Sequence, residues 1–211
     1  MSDLYNYLTS RGFIEGEANS LVKCILVDFY IKVAPENGNW NRDEDLYIYL
    51  YSPSFGLTMT NLFRDEYSPA WDYRPRKFRK DRDGCLGMVL SGIKINPDRI
   101  ETSKIIPSNF SLTFAEFFGC LDCLKSEKEL FYALYKGCFR NFFALVEGAW
   151  VYLHFACKLG HSAEKIVSDL YDDNSLEDLR RSWRLRKEID VDIIKLFFAR
   201  GVTHQKSNDE E

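Results

Sequence analysis

What this sequence lacks narrows its chemistry before anything in it is interpreted. Histidine is scarce, with three among 211 residues, and none has a nucleophile partner that order or spacing reveals. There is no Ser-His-Asp arrangement, no phosphate-cradling glycine loop and no dinucleotide fingerprint. These absences point away from an enzyme, and no cofactor is expected. No stretch reaches the roughly 18 apolar residues that a spanning helix needs; the longest candidate, Phe139 to Phe155, is interrupted by Arg140, Asn141, Glu147 and His154. The opening residues, MSDLYNYLTSRGF, have neither the basic leader nor the continuous apolar core of a signal peptide, so a cytoplasmic chain is expected. Six cysteines in a chain this long do not make a disulfide scaffold. Cys24, Cys138 and Cys157 lie in apolar runs, as buried reduced thiols do. Positive charge is not in excess either: the net charge is −4 and the pI near 5.5, which argues against a whole-molecule field that attracts nucleic acid or anionic lipid.

Aromatic residues are plentiful, 16 Phe and 12 Tyr within a 15% aromatic share, which favours a packed core or a ring-lined groove. Periodicity then suggests mostly helix. Residues 3–10 read as a short helix ended by Gly12. A stronger one is expected from about Glu17 to Val33, where Leu21, Val22, Ile25, Leu26, Phe29 and Val33 recur at 3–4 spacing before Pro35 and Gly38. Asp45 to Tyr51 alternates loosely and is rich in β-formers, so it reads either as a short strand or as an aromatic helix turn. Ser52 to Gly84 reads as a long surface loop with some local helix, and Cys85 to Ile95 as helix or strand. Ser111 to Lys125 reads as helix, and Ser126 as the cap of a helix beginning at Glu127. Glu129 to Leu159 is the longest apolar-rich run, hydrophobic on most faces, as suits a helix at the centre of a bundle; Gly160 ends it. Helices over Ser162–Tyr171, Ser175–Lys187 and Val191–Arg200 follow. The expected architecture is all-α: a single helical domain over 1–203, a polar tail over 204–211, and a long loop at about 37–84 with room for a short β element.

Two constellations have metal-ligand spacing, Cys120-x-x-Cys123 and the set His154, Cys157 and His161. Both sit in Phe- and Leu-rich helices rather than glycine-containing knuckles, so buried thiols are the expected reading and no metal is assigned. A basic segment, Arg74 to Arg82, holds six cations near Trp71, Tyr73 and Phe78. Trp71, Arg74, Arg76, Lys77, Arg79 and Lys80 would be the contacts of a strand-tracking, base-stacking segment. Asp65, Glu66, Asp81 and Asp83 balance it, and the acidic total makes nucleic acid the weaker partner. The cluster Arg180, Arg181, Arg184, Arg186 and Lys187 reads as a solvated helix face.

Three segments carry a family pattern in order. Leu26-Val-Asp-Phe-Tyr-Ile-Lys32 precedes Gly38 and Trp40; Glu129-Leu130-Phe131 leads to Arg140, with Gly148 eight residues later; and Trp183 is followed by Val191-Asp-Ile-Ile-Lys-Leu-Phe197. In these positions the chain resembles the Bcl-2 apoptosis-regulator family, over about half its length. It departs from the pattern at Gly137-Cys-Phe-Arg140, where only the Arg remains. The resemblance implies a helical bundle around a central apolar helix hairpin, and a regulator of apoptosis, survival-promoting, that holds amphipathic death-ligand helices of pro-apoptotic proteins in a hydrophobic groove. On that resemblance Arg140 would meet a ligand carboxylate, Leu130 and Phe131 would line the groove, Gly148 would allow close helix packing and Phe197 would close one end. It also implies peripheral association with the mitochondrial outer membrane. The alternatives are a nucleic-acid-associated helical protein using residues 71–82, and a helical inhibitor or adaptor unrelated to apoptosis.

Overall fold

The computed structural model describes residues 3–36, 38–40, 46–63, 84–91, 97–105, 111–145, 148–172 and 191–202. In chain order the elements begin with α1 (Asp3–Ser10), β1 (Ile14–Glu15), β2 (Leu21–Leu26), β3 (Phe29–Pro35), β4 (Leu46–Tyr51), α2 (Pro53–Leu62) and β5 (Cys85–Ser91). A short 3-10 stretch (Pro97–Thr102) follows, then β6 (Lys104–Ile105), β7 (Leu112–Thr113), α3 (Phe114–Cys123), α4 (Glu127–Tyr135) and β8 (Ala144–Leu145). The last elements are α5 (Gly148–Lys158), α6 (Ala163–Asp172) and α7 (Val191–Val202). The chain folds as two compact units, Met1–Tyr51 with Gly87–Ala144, and Ser52–Leu86 with Leu145–Glu211.

A six-stranded sheet, in the order β1-β2-β3-β4-β5-β8, overturns the expected all-α bundle around a central apolar helix hairpin. Residues 17–33, expected as helix, form the β2–β3 hairpin, with Leu26 opposite Phe29 across the turn and a bulge between Cys24 and Leu26. The reason is physical. Apolar residues at 3–4 spacing also serve a two-sided hairpin, and Phe29–Pro35 alternates strictly, with Phe29, Ile31, Val33 and Pro35 buried and Tyr30, Lys32 and Ala34 half-exposed. Valine, isoleucine, phenylalanine and tyrosine dominate both runs, and these side chains suit a pleated surface better than a helix. β4 repeats the alternation, burying Leu46, Ile48 and Leu50. The loop assigned to 37–84 therefore contains β4, and α2 after it.

In this first unit the inner face of the sheet meets helices. Lys23 reaches Asp122 of α3 at 3.4 Å, and its ammonium lies 5.8 Å from the Phe118 ring centre. Phe118 also takes Phe13 edge-on at 5.9 Å and Tyr7 of α1 at 5.9 Å. Phe117 continues the cluster to Phe139 and Phe142, each at 5.7 Å. All four of these phenylalanines on α3 and in the turn after α4 are essentially fully buried, so the aromatic excess goes largely into the core.

The run Glu129–Leu159 is not one helix. α4 ends at Tyr135, where the N–H groups of Lys136 and Gly137 both donate to the Tyr132 carbonyl at 2.8 Å. A Cβ on Gly137 would sit 2.9 Å from the Ala133 Cα, so this tight stop needs glycine. Asn141 then takes a left-handed φ of 61°, which no helix contains. Phe139, Phe142 and Phe143 are buried in this turn rather than on a helix face.

The second unit is helical among its described residues. α5 is buried at every position from Trp150 to Ala156, the all-round burial that its composition suggested. Trp150 meets Phe63 edge-on at 5.4 Å and stacks on Phe197 of α7 at 5.7 Å. Ser52 caps α2, where Pro53 occupies the first helical position. No helix among the described residues is long and apolar enough to cross a membrane.

Candidate functional site

The residues singled out from sequence divide between core and surface. Leu130 on α4 is fully buried. Phe131 is half-buried and packs on Tyr135 at 4.8 Å. Arg140 is exposed in the turn after α4, its N–H donating to the Gly137 carbonyl at 3.1 Å. In the second unit Gly148 opens α5, and Phe197 is 1% exposed. A side chain sealed at that level supports its own unit and presents no surface to a ligand. The groove drawn from the resemblance rested on a single core helix over 129–159 and on helix at 26–32. The first is two helices parted by a turn and a strand, and the second is a hairpin, so that reading loses its structural premise. Trp71, Arg74, Arg76, Lys77, Arg79 and Lys80 lie outside the described residues. Among the described residues no group of three or more His, Cys, Asp or Glu side chains could hold a metal ion.

One pairing was invisible in the sequence. Ser52 Oγ and His154 Nε2, 102 positions apart, lie 3.1 Å from each other, both buried. A serine and a histidine at that distance are the elements of a nucleophile and its base. Their setting is that of a clamp instead. Ser52 Oγ accepts the Phe55 N–H at 3.2 Å as the cap of α2, and its N–H donates to the Gly84 carbonyl at 2.7 Å. The Ser52 backbone is ordinary extended chain, φ −136° and ψ 112°, without the strain of a nucleophile elbow. Gly84 is held at φ +84° with no space for a Cβ, which would sit 2.7 Å from the Ser52 carbonyl oxygen. Phe55 packs edge-on against the His154 ring at 5.3 Å. The histidine satisfies a cap that would otherwise sit in an apolar interior.

The outward face of the β2–β3–β4 sheet carries a different pattern. Across the β3–β4 register Tyr30 lies opposite Tyr51, Lys32 opposite Tyr49 and Ala34 opposite Tyr47. Val22 and Cys24 of β2 lie opposite Lys32 and Tyr30. Because a strand alternates its faces, Tyr47, Tyr49 and Tyr51 form one column. Tyr47 and Tyr49 stack with centres 5.7 Å apart and planes 22° apart, and Tyr51 continues the column at 5.8 Å. The Lys32 ammonium stands 6.0 Å from the Tyr51 ring centre. The Tyr47 hydroxyl donates to Glu36 at 3.3 Å. Every tyrosine of the set is half-exposed. The signal was present in the sequence as Tyr-x-Tyr-x-Tyr over 47–51, and it becomes a surface once that segment is read as a strand.

Comparison with protein-family models, curated proteins and solved structures finds no match. The chemistry of the tyrosine face therefore bears the weight of the functional reading.

Proposed function

We propose that this chain works by binding another protein, with the tyrosine face of β3 and β4 as the contact surface. The observation that supports the reading is the column Tyr47–Tyr49–Tyr51 flanked by Tyr30 and Lys32. Tyrosine brings a large rigid ring and a hydroxyl for the entropy of two torsions, and it is enriched where proteins meet. Lys32 supplies a cation within the aromatic patch. The partner such a face suits is a protein surface with carboxylates set among apolar side chains: rings cover the apolar groups, while hydroxyls and the ammonium meet the carboxylates.

The same rings could in principle stack bases. Their arrangement disfavours it, because Tyr47 and Tyr49 turn their faces to each other rather than outward, whereas a base platform needs open ring faces along a basic track.

The test is selection of peptides from a displayed random library on the whole chain, followed by titration against wild type and Tyr49→Ser. Selected sequences are expected to be rich in Asp, Glu and apolar residues. Tyr49→Ser, folded by circular dichroism, is expected to weaken binding roughly thirty-fold, as for loss of a central interface anchor worth about 2 kcal/mol. Ligands that bind the variant as well as wild type would remove this face. Steeply salt-dependent binding of single-stranded oligonucleotides, with no protein ligand selected, would favour nucleic acid instead.

A further inference from the structure

Three cysteines that are scattered in the sequence converge in the first unit, independently of the tyrosine face. Cys120 and Cys123 lie on the last turns of α3, and Cys138 lies in the turn that follows α4. The Cys120 thiol is within hydrogen-bonding reach of the Cys138 thiol. Packing holds them there: Phe117, one helical turn before Cys120, meets Phe139, the neighbour of Cys138, at 5.7 Å. The Gly137 turn fixes the approach, since Phe139 N–H donates to the Ala133 carbonyl at 2.9 Å. Cys120 and Cys138 are both partly exposed and Cys123 is exposed, so small molecules reach the group.

We propose that Cys120 and Cys138 form a dithiol site that takes a small-molecule disulfide, such as oxidised glutathione, and closes into an intramolecular disulfide between α3 and the turn after α4. The Cys138 thiolate attacks one sulfur of the reagent, breaking its S–S bond, releasing one thiol and leaving a mixed disulfide on Cys138. Cys120 then loses its proton to solvent, attacks the Cys138 sulfur and releases the second thiol. The sum is two protein thiols and one small disulfide giving one protein disulfide and two small thiols, so two electrons pass from protein to reagent. Burial, then the neighbouring Cys138, push the Cys120 thiol up to about 12. Cys120 is therefore the resolving sulfur, and closure quickens as pH rises.

Trypsin reads the outcome directly, because Cys138 falls in the fragment 137–140 and Cys120 with Cys123 in the fragment 105–125. The whole chain is incubated natively with oxidised glutathione, its remaining thiols are blocked, and it is digested without reductant. The expected product is the two fragments joined, two hydrogens lighter than their sum, in wild type and in Cys123→Ser, and lost in Cys120→Ser. Its yield is expected to rise from pH 7 to pH 9. Glutathione adducts without the joined fragments would overturn the proposal. So would a joined product that survives Cys120→Ser and disappears in Cys123→Ser, or the same mixture of pairings from native and urea-unfolded chain.

Discussion

At the scale of single residues, the Ser52–His154 contact shows how one hydrogen bond can carry a local structure. Ser52 Oγ accepts from the Phe55 N–H and meets His154 Nε2 at 3.1 Å, and both residues are buried. Ser52→Ala removes the cap and leaves a buried imidazole nitrogen without this partner. Capping loss costs about 1 kcal/mol, and an unsatisfied buried polar group about 1–3 kcal/mol. The expected loss is about 2–4 kcal/mol in urea unfolding, with less than additive loss in Ser52→Ala/His154→Leu, where neither polar group is stranded. A serine-reactive fluorophosphonate is expected to leave the folded chain unlabelled; labelling at Ser52 would make the pair catalytic. Legibility at this scale depended on sequence distance. Ser126 was readable as a cap because its partner is three residues away, and it does accept from the Glu129 N–H at 3.2 Å. The Ser52 cap itself was equally local, but what makes it matter is a histidine 102 residues on, which no local pattern encodes.

At the scale of elements, the strands were misread where apolar spacing allowed two periods. Leu21, Ile25 and Phe29 satisfy a helix, while Phe29, Ile31, Val33 and Pro35 satisfy a strand; hairpin pairing, which is not local, decided between them. The expected helix over 111–125 begins three residues later, and the cause is local: Thr113 and Glu116 form a reciprocal capping box at the start of α3. Glu116 accepts the Thr113 N–H at 2.8 Å and its hydroxyl at 2.9 Å. Its carboxyl is held below its ordinary value, chiefly by the Thr113 N–H and then by the hydroxyl. A folded pKa below the unfolded one gives stability that is present above the unfolded value of 4.5 and fades as pH falls through the folded value. Glu116→Gln is therefore expected to be less stable than wild type at pH 7 and to converge on it below about pH 3–4. Urea midpoints at the two pH values check this. A gap that stays constant with pH would mean that the charge plays no part in the cap.

At the scale of the whole molecule, each compact unit is assembled from two separate lengths of chain, 1–51 with 87–144 and 52–86 with 145–211. Composition and length carry no trace of such an arrangement, because each length by itself has ordinary apolar content. The consequence is a folding dependence. α2 lies in the first length of the second unit, yet it packs against α7 in the second length. It buries Phe55, Met59 and Leu62, the last of them completely. A chain ending at residue 144 keeps all the residues of the first unit but takes α5, α6 and α7 away from α2. Returning three such side chains to water forfeits about 1.5–3 kcal/mol each, more than a ten-residue helix recovers from its own hydrogen bonds. The truncated chain is expected to keep the far-ultraviolet signature of the sheet, to lose about a third of the helical signal, and to bind the dye ANS, which the full chain does not. The surfaces freed on α2 are sticky enough that the same chain is expected to elute as oligomers at micromolar concentration. A truncated chain that stays monomeric, ignores the dye and keeps α2 protected from hydrogen exchange would show that residues 52–86 are held without their second half, and the division into two interleaved units would have to be redrawn.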